Sequence, residues 1–156
     1  METQKSSQNK FDLSKNSNVA KVKCALDTGF FYRWVSFLTP FHRLTKSERL
    51  VLAAFLNKRF EVAQLIHDEK VVNNVLNSVD SRRDIRESLG FTSVKINNVV
   101  ANLRKNGVIN GNAIDKRYIP NIQPGTNHYR FTIMFDIDDS HISNDDLREQ
   151  ADTEDS

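Results

Sequence analysis

Cysteine is almost missing from this chain. Cys24 stands alone, so no internal disulfide can form and a cysteine-built zinc site is excluded. A solitary thiol suits a reducing compartment, and the expected location is cytoplasmic. Long apolar runs are missing too. The opening METQKSSQNK is polar with no hydrophobic stretch behind it, so neither a secretory leader nor a membrane span is expected. Glycine and proline are scarce, five and three residues, so each one at the end of a periodic segment is informative.

Catalytic motifs are also lacking. There is no GxGxxG and no GxxxxGK[ST]. The four histidines, His42, His67, His128 and His141, include no i, i+4 pair and no metal-ligand spacing. Cys24 has no obvious base beside it, so it is a poor nucleophile candidate. The chain is therefore expected to bind rather than catalyse, with no cofactor and no metal.

What is present begins with charge. Residues 136–156 hold nine acids, Asp136, Asp138, Asp139, Asp145, Asp146, Glu149, Asp152, Glu154 and Asp155, against Arg148 alone, a local charge of −8. The whole chain is +2, so residues 1–135 carry +10. A basic body with an acidic tail points to a polyanion partner or, as readily, to a solubilising tail on an ordinary surface. The tail could also fold over the basic body and stand in for that polyanion. At 38% hydrophobic and 27% charged residues, the composition allows one modest core. The expected organisation is a flexible basic arm over residues 1–27, one domain over 28–138, and a disordered acidic tail over 139–156.

Hydrophobic periodicity places the elements. In TGFFYRWVSFLT, residues 28–39, Phe30, Phe31, Trp34, Phe37 and Leu38 recur at helical spacing, and Pro40 ends the run. Core packing is the favoured reading, and a partner or self-association surface through Phe30, Phe31, Trp34 and Phe37 is the alternative. Residues 44–66 predict a long helix, opened by the T-x-x-E spacing of Thr45 and Glu48. Its apolar face is Leu50, Val51, Ala54, Phe55, Val62, Ala63 and Ile66. Residues 67–80 lean towards helix, though Val71, Val72, Val75 and Val79 also allow a short strand.

In SRRDIRESLGFTSVKINNVVANLRKNGVING, residues 81–111, Ser81 is the expected cap of a helix ending at Leu89. Gly90 suits the left-handed exit. Thr92 caps a second helix running to about Asn106, with Ile96, Val99, Val100 and Leu103 buried. Gly107 is a second stop. Val108–Ile114 then predicts a strand, interrupted at Asn110-Gly111. YRFTIMFDI, residues 129–137, predicts its partner, with Tyr129, Phe131, Ile133, Phe135 and Ile137 on one face. The intervening DKRYIPNIQPGTNH is an expected long loop, part of it packed back through Tyr118 and Ile119.

This order, carried by LTKSERLVL and RDIRESLGFTSVKINNVVANLRKNGVI, resembles the winged helix-turn-helix superfamily, including MarR-like regulators and phage-encoded relatives. The resemblance covers roughly residues 44–137. It implies a mainly α fold with a small β-hairpin and a double-stranded DNA partner. The second helix of the unit would lie in the major groove. Thr92, Ser93, Lys95, Asn97 and Asn98 would then face base edges, where Asn can pair with adenine and Lys can reach guanine. Arg82, Arg83, Arg86, Arg104 and Lys105 would sit near phosphates, and Lys116 and Arg117 would touch the backbone from the wing. The implied role is transcription regulation, in a host cytoplasm if phage-encoded. The alternative is a virion connector or ring protein that uses the same fold for protein contacts. An apolar component from Val94 and Val99 on the second helix fits that alternative.

Overall fold

The computed structural model describes residues 12–13, 20–123 and 125–134. The chain divides into two units, residues 1–121 and 122–156. The first is mainly helical. Its elements are β1 (Asp12–Leu13), β2 (Ala20–Lys21), α1 (Thr28–Phe37), α2 (Lys46–Ala63), α3 (Glu69–Leu76), α4 (Val79–Leu89), α5 (Ser93–Lys105), β3 (Ile109–Asn110) and β4 (Ala113–Ile114). Short 3₁₀ turns occupy Thr39–Phe41 and Lys116–Tyr118. No described helix is long and apolar enough to cross a membrane.

α2 is the centre of the unit. Thr45 Oγ1 accepts from the Glu48 amide at 3.3 Å, and Glu48 Oε2 accepts from the Thr45 amide at 2.7 Å, so the capping box closes in both directions. Val51, Leu52, Ala53, Ala54, Phe55 and Leu56 are buried in succession. A one-sided helix would alternate, so this run means that neighbours cover α2 all round. It packs against α1, α3, α4 and α5. Burying side chains such as Leu52 and Phe55 contributes about 1.5–3 kcal/mol each. The predicted face was narrower and ran further. Leu50 is only half-buried, and the helix stops at Ala63, before Ile66.

α1 settles the aromatic stretch. Asp27 caps it, accepting from the Gly29 and Phe30 amides. Phe31, Trp34, Val35 and Leu38 are buried, so Phe31 and Trp34 are core residues and cannot serve the self-association surface considered for them. Of that set, Phe30 is half-buried and Phe37 is exposed. Trp34 Nε1 donates to the Tyr118 carbonyl at 2.8 Å, tying α1 to the segment after β4. Tyr118 does pack back onto the body, as expected, and Pro120 is buried beside it in sequence.

Residues 67–80 are helical at α3, which buries Val72 and Leu76. The cap of α4 differs from expectation. Ser78 is the N-cap and accepts from the Ser81 amide at 3.2 Å. Ser81 is therefore the third helical residue. It is buried, and its hydroxyl donates to the Val75 carbonyl at 2.7 Å. Both serines suit a cap by type, and the closeness of α3 decides between them.

Gly90 (φ 64°) and Gly107 (φ 71°) end α4 and α5 in the same way. Phe91 and Val108 donate back to the carbonyls of Arg86 and Leu103, and the two glycine amides donate to Glu87 and Arg104. These are Schellman pairs, which need a left-handed residue that glycine adopts without strain.

The expected strand over Val108–Ile114 folds on itself. Ile109 pairs with Ile114 and Asn110 with Ala113, across the two-residue turn Gly111-Asn112. Gly111 has φ 62° and, among the described residues, no non-glycine residue has positive φ, as a type II′ turn requires. Residues 129–134 form no strand. Their alternation is a side-chain property, whereas a strand is made by backbone pairing, and β3 has its partner within its own hairpin. Phe135, Ile137 and the acidic tail lie outside the described residues. The expected irregular arm contains one antiparallel pairing, β1 with β2.

Candidate nucleic-acid interface

α5 carries most of the side chains singled out in the sequence. Ile96, Val99, Val100 and Leu103 are its buried edge. Val99 is thus core, not an extra contact surface. At 3.6 residues per turn, Val94, Asn98, Ala101 and Lys105 fall opposite that edge. Asn97 and Arg104 lie on one flank, Lys95 and Asn102 on the other, and all eight are exposed.

The outward side chains are held in different ways. Thr92 caps the helix, its hydroxyl accepting from the Lys95 amide at 3.2 Å. Ser93 Oγ accepts from Arg86 Nη1 at 2.7 Å, bridging α4 to the start of α5. Lys95 Nζ lies 3.9 Å from the centroid of the Phe91 ring, a cation–π contact that folds it back over the turn. Asn97 and Asn98 make no side-chain hydrogen bond among the described residues. Arg104 and Lys105 occupy the last turn, where cations favour the negative end of the helix dipole.

The α4 arginines are placed differently from expectation. Arg82 is half-buried and turned inward, with Nη2 3.4 Å from Asn77 Oδ1. Asn77 Nδ2 in turn donates to the Asn112 carbonyl at 2.7 Å and to the Asn73 carbonyl at 2.8 Å. Through Asn77, Arg82 therefore links α4 to the hairpin tip. Arg83 is exposed but paired with Asp80 at 2.9 Å. That carboxylate is the anion that makes a cation near a helix N-terminus tolerable. The other α4 acids are also paired, Asp84 with Lys58 and Glu87 with Arg86. α4 thus has balanced charge, while α5 has three cations and no acid.

The two wing candidates sit after β4. Lys116 is exposed. Arg117 donates from Nε and Nη2 to the two Asp115 carboxylate oxygens, both at 3.0 Å, and its amide donates to Asp115 Oδ1 at 2.9 Å. These bonds, the side-chain pair first, hold the Asp115 carboxyl below the usual aspartate range and raise the Arg117 guanidinium. Burial pushes the Tyr118 phenol up, so it is neutral near pH 7. Arg117 shares a surface cleft with Asn106, which places it at the C-terminal end of α5, away from the base-facing half assigned to that helix.

A further pattern was legible in the sequence but not singled out. No acid occurs between Glu87 and Asp115, a run of 27 residues that contains six asparagines. It spans α5 and the β3–β4 hairpin. An acid-free segment rich in groups that both donate and accept brings no carboxylate of its own against a polyanion. Among the described residues, no group of three or more His, Cys, Asp or Glu is placed to hold a metal ion. No family model, curated protein or solved structure matches this chain.

Proposed function

We propose that the chain binds double-stranded DNA through a winged helix-turn-helix and acts as a transcription regulator. In this reading α4, the Gly90 turn and α5 are the reading unit, and β3–β4 is a wing reduced to a two-residue turn. The observation that carries it is the outward face of α5. Asn97 and Asn98 stand exposed and uncommitted there, flanked by cations, within 27 residues that contain no acid. Asn97 and Asn98 would choose sequence, and Arg104, Lys105 and Lys116 would set position on phosphates. Lys95 would have to leave the Phe91 ring to reach a base.

A gel-shift or anisotropy titration against duplex DNA over a range of salt tests this. If these three cations neutralise phosphates, log Kobs falls against log salt with a slope of about −3. Asn98→Ala would reduce discrimination between sequences without changing that slope. Absence of duplex binding at low salt sinks the reading.

A second reading is favoured by Val94, 70% exposed on the same face, and by Val79, 81% exposed at the start of α4. In it this face contacts protein, in a virion connector or ring. Light scattering on the same sample separates the two. A stable ring without DNA affinity supports this reading, and a salt-sensitive DNA complex supports the first.

A further inference from the structure

A cleft of about 280 Å³ opens beside the C-terminal end of α5, apart from the outward face of that helix. Three of its lining residues, Leu44, Val108 and Tyr118, are buried. Its rim is different in kind. Phe41 stands 70% exposed, and Arg43, Asn106 and Arg117 are exposed around the same opening. The volume lies just below the range typical of ligand sites, about 300–1,000 Å³, so the opening suits no more than one small molecule.

The chemistry of the rim is specific. Arg117 is oriented by its paired bonds to Asp115, yet its side chain is 78% exposed, so the far edge of the guanidinium is open to a second anion. Arg43 adds a second guanidinium. Asn106 offers an amide that can donate and accept. Tyr118, neutral because of its burial, adds no negative charge. His42 also lines the cleft but is committed to the fold. Its Nδ1 accepts from the Leu44 amide at 3.2 Å, so Nε2 carries the proton and donates to the Val35 carbonyl at 2.9 Å.

An exposed aromatic ring, an amide and two guanidiniums around one small opening match a planar polar ring joined to an anion. We propose that this cleft binds one nucleotide unit, with its base against Phe41, its base edge at Asn106 and its phosphate between Arg43 and Arg117. The unit can come from a free mononucleotide or from an unpaired nucleotide of a strand. Stacking on an aromatic ring is tolerant of base identity, because every base has a π-face. Guanidinium–phosphate hydrogen bonds supply the remainder. The site does not depend on duplex binding by α5.

The test is amide and side-chain NMR on the full chain, titrated to millimolar levels with AMP, adenosine, inorganic phosphate and deca-thymidylate. AMP or deca-thymidylate is expected to shift Asn106, Arg117 and the Trp34 indole N–H, which donates to the Tyr118 carbonyl. AMP binding without deca-thymidylate binding assigns the free nucleotide, and the converse assigns the strand. Adenosine and phosphate should each bind at least about tenfold more weakly than the joined unit. Phe41→Ala should weaken the nucleotide about tenfold and leave inorganic phosphate unchanged. Arg43→Gln and Arg117→Gln should weaken both. These three side chains are exposed, and an unmoved Trp34 resonance in the free variant checks that each has folded. The proposal is overturned if neither nucleotide probe moves the cleft resonances. Equal binding of phosphate and AMP, or variants that bind AMP as the parent does, overturns it equally.

Discussion

The indole of Trp34 meets the Tyr118 carbonyl across 84 residues of sequence. Trp34→Phe would keep an aromatic ring in the core but leave that buried carbonyl without its donor. The orphaned acceptor costs about 1–3 kcal/mol, with a cavity contribution added. Urea unfolding measures it, and a loss below about 0.5 kcal/mol would show that the bond is not structural. At Asp115 the folded carboxyl titrates below its unfolded value because Arg117 holds the charged form. The pair therefore stabilises the fold above the ordinary aspartate pKa of about 3.9 and is lost as pH falls through the depressed folded value. Carboxyl NMR should find that lower midpoint, and Arg117→Gln should return it towards the ordinary one. An ordinary midpoint in the parent chain contradicts the pairing. The Asp115 and Arg117 contact could be suspected from their spacing. The inward turn of Arg82 could not, because it depends on Asn77 and Asn112, which are 35 residues apart.

Elements were legible in proportion to how locally they are determined. α5 was readable at both ends, since Thr92 caps it and Gly107 closes it with bonds that span a few residues. α4 was misread at its start, because Ser78 and Ser81 are chemically equivalent caps and only the packing of α3 chooses. The hairpin was misread because a strand's partner need not be its best-patterned counterpart. Gly111 lets Asn110 meet Ala113 at once, and a two-residue closure carries far less entropic cost than the loop to residue 129. At the α4–α5 turn, Gly90→Ala meets no atom within 4 Å, so its effect is conformational alone. A left-handed alanine should cost about 1–2 kcal/mol, and Asn there should cost less. Thermal or urea unfolding of the two variants checks the order, and an Ala variant as stable as the parent would refute the turn geometry.

For the whole molecule, two predictions follow from opposite ends of the charge and packing scale. Leu52 is fully buried in α2, the helix that touches all four others. Leu52→Ala should cost about 2–5 kcal/mol, lost in one cooperative transition. Loss of α1 signals ahead of α5 signals would contradict a shared core. Removing residues 136–156 takes the net charge from +2 to +10. If duplex DNA is the partner, low-salt affinity should rise and the salt dependence should steepen. An unchanged affinity would rule out any screening role for the tail. The helices, the glycine stops and the caps other than that of α4 were written locally, because capping and periodicity act within one or two turns. The charge asymmetry was also plain from the sequence alone. Tertiary structure decided which aromatics are core, which arginines are already paired, and that a cleft forms beside Asn106. Those outcomes depend on residues brought together from distant parts of the chain. The second helix of the suspected reading unit could thus be located from sequence, while the availability of the charges around it was set only by folding.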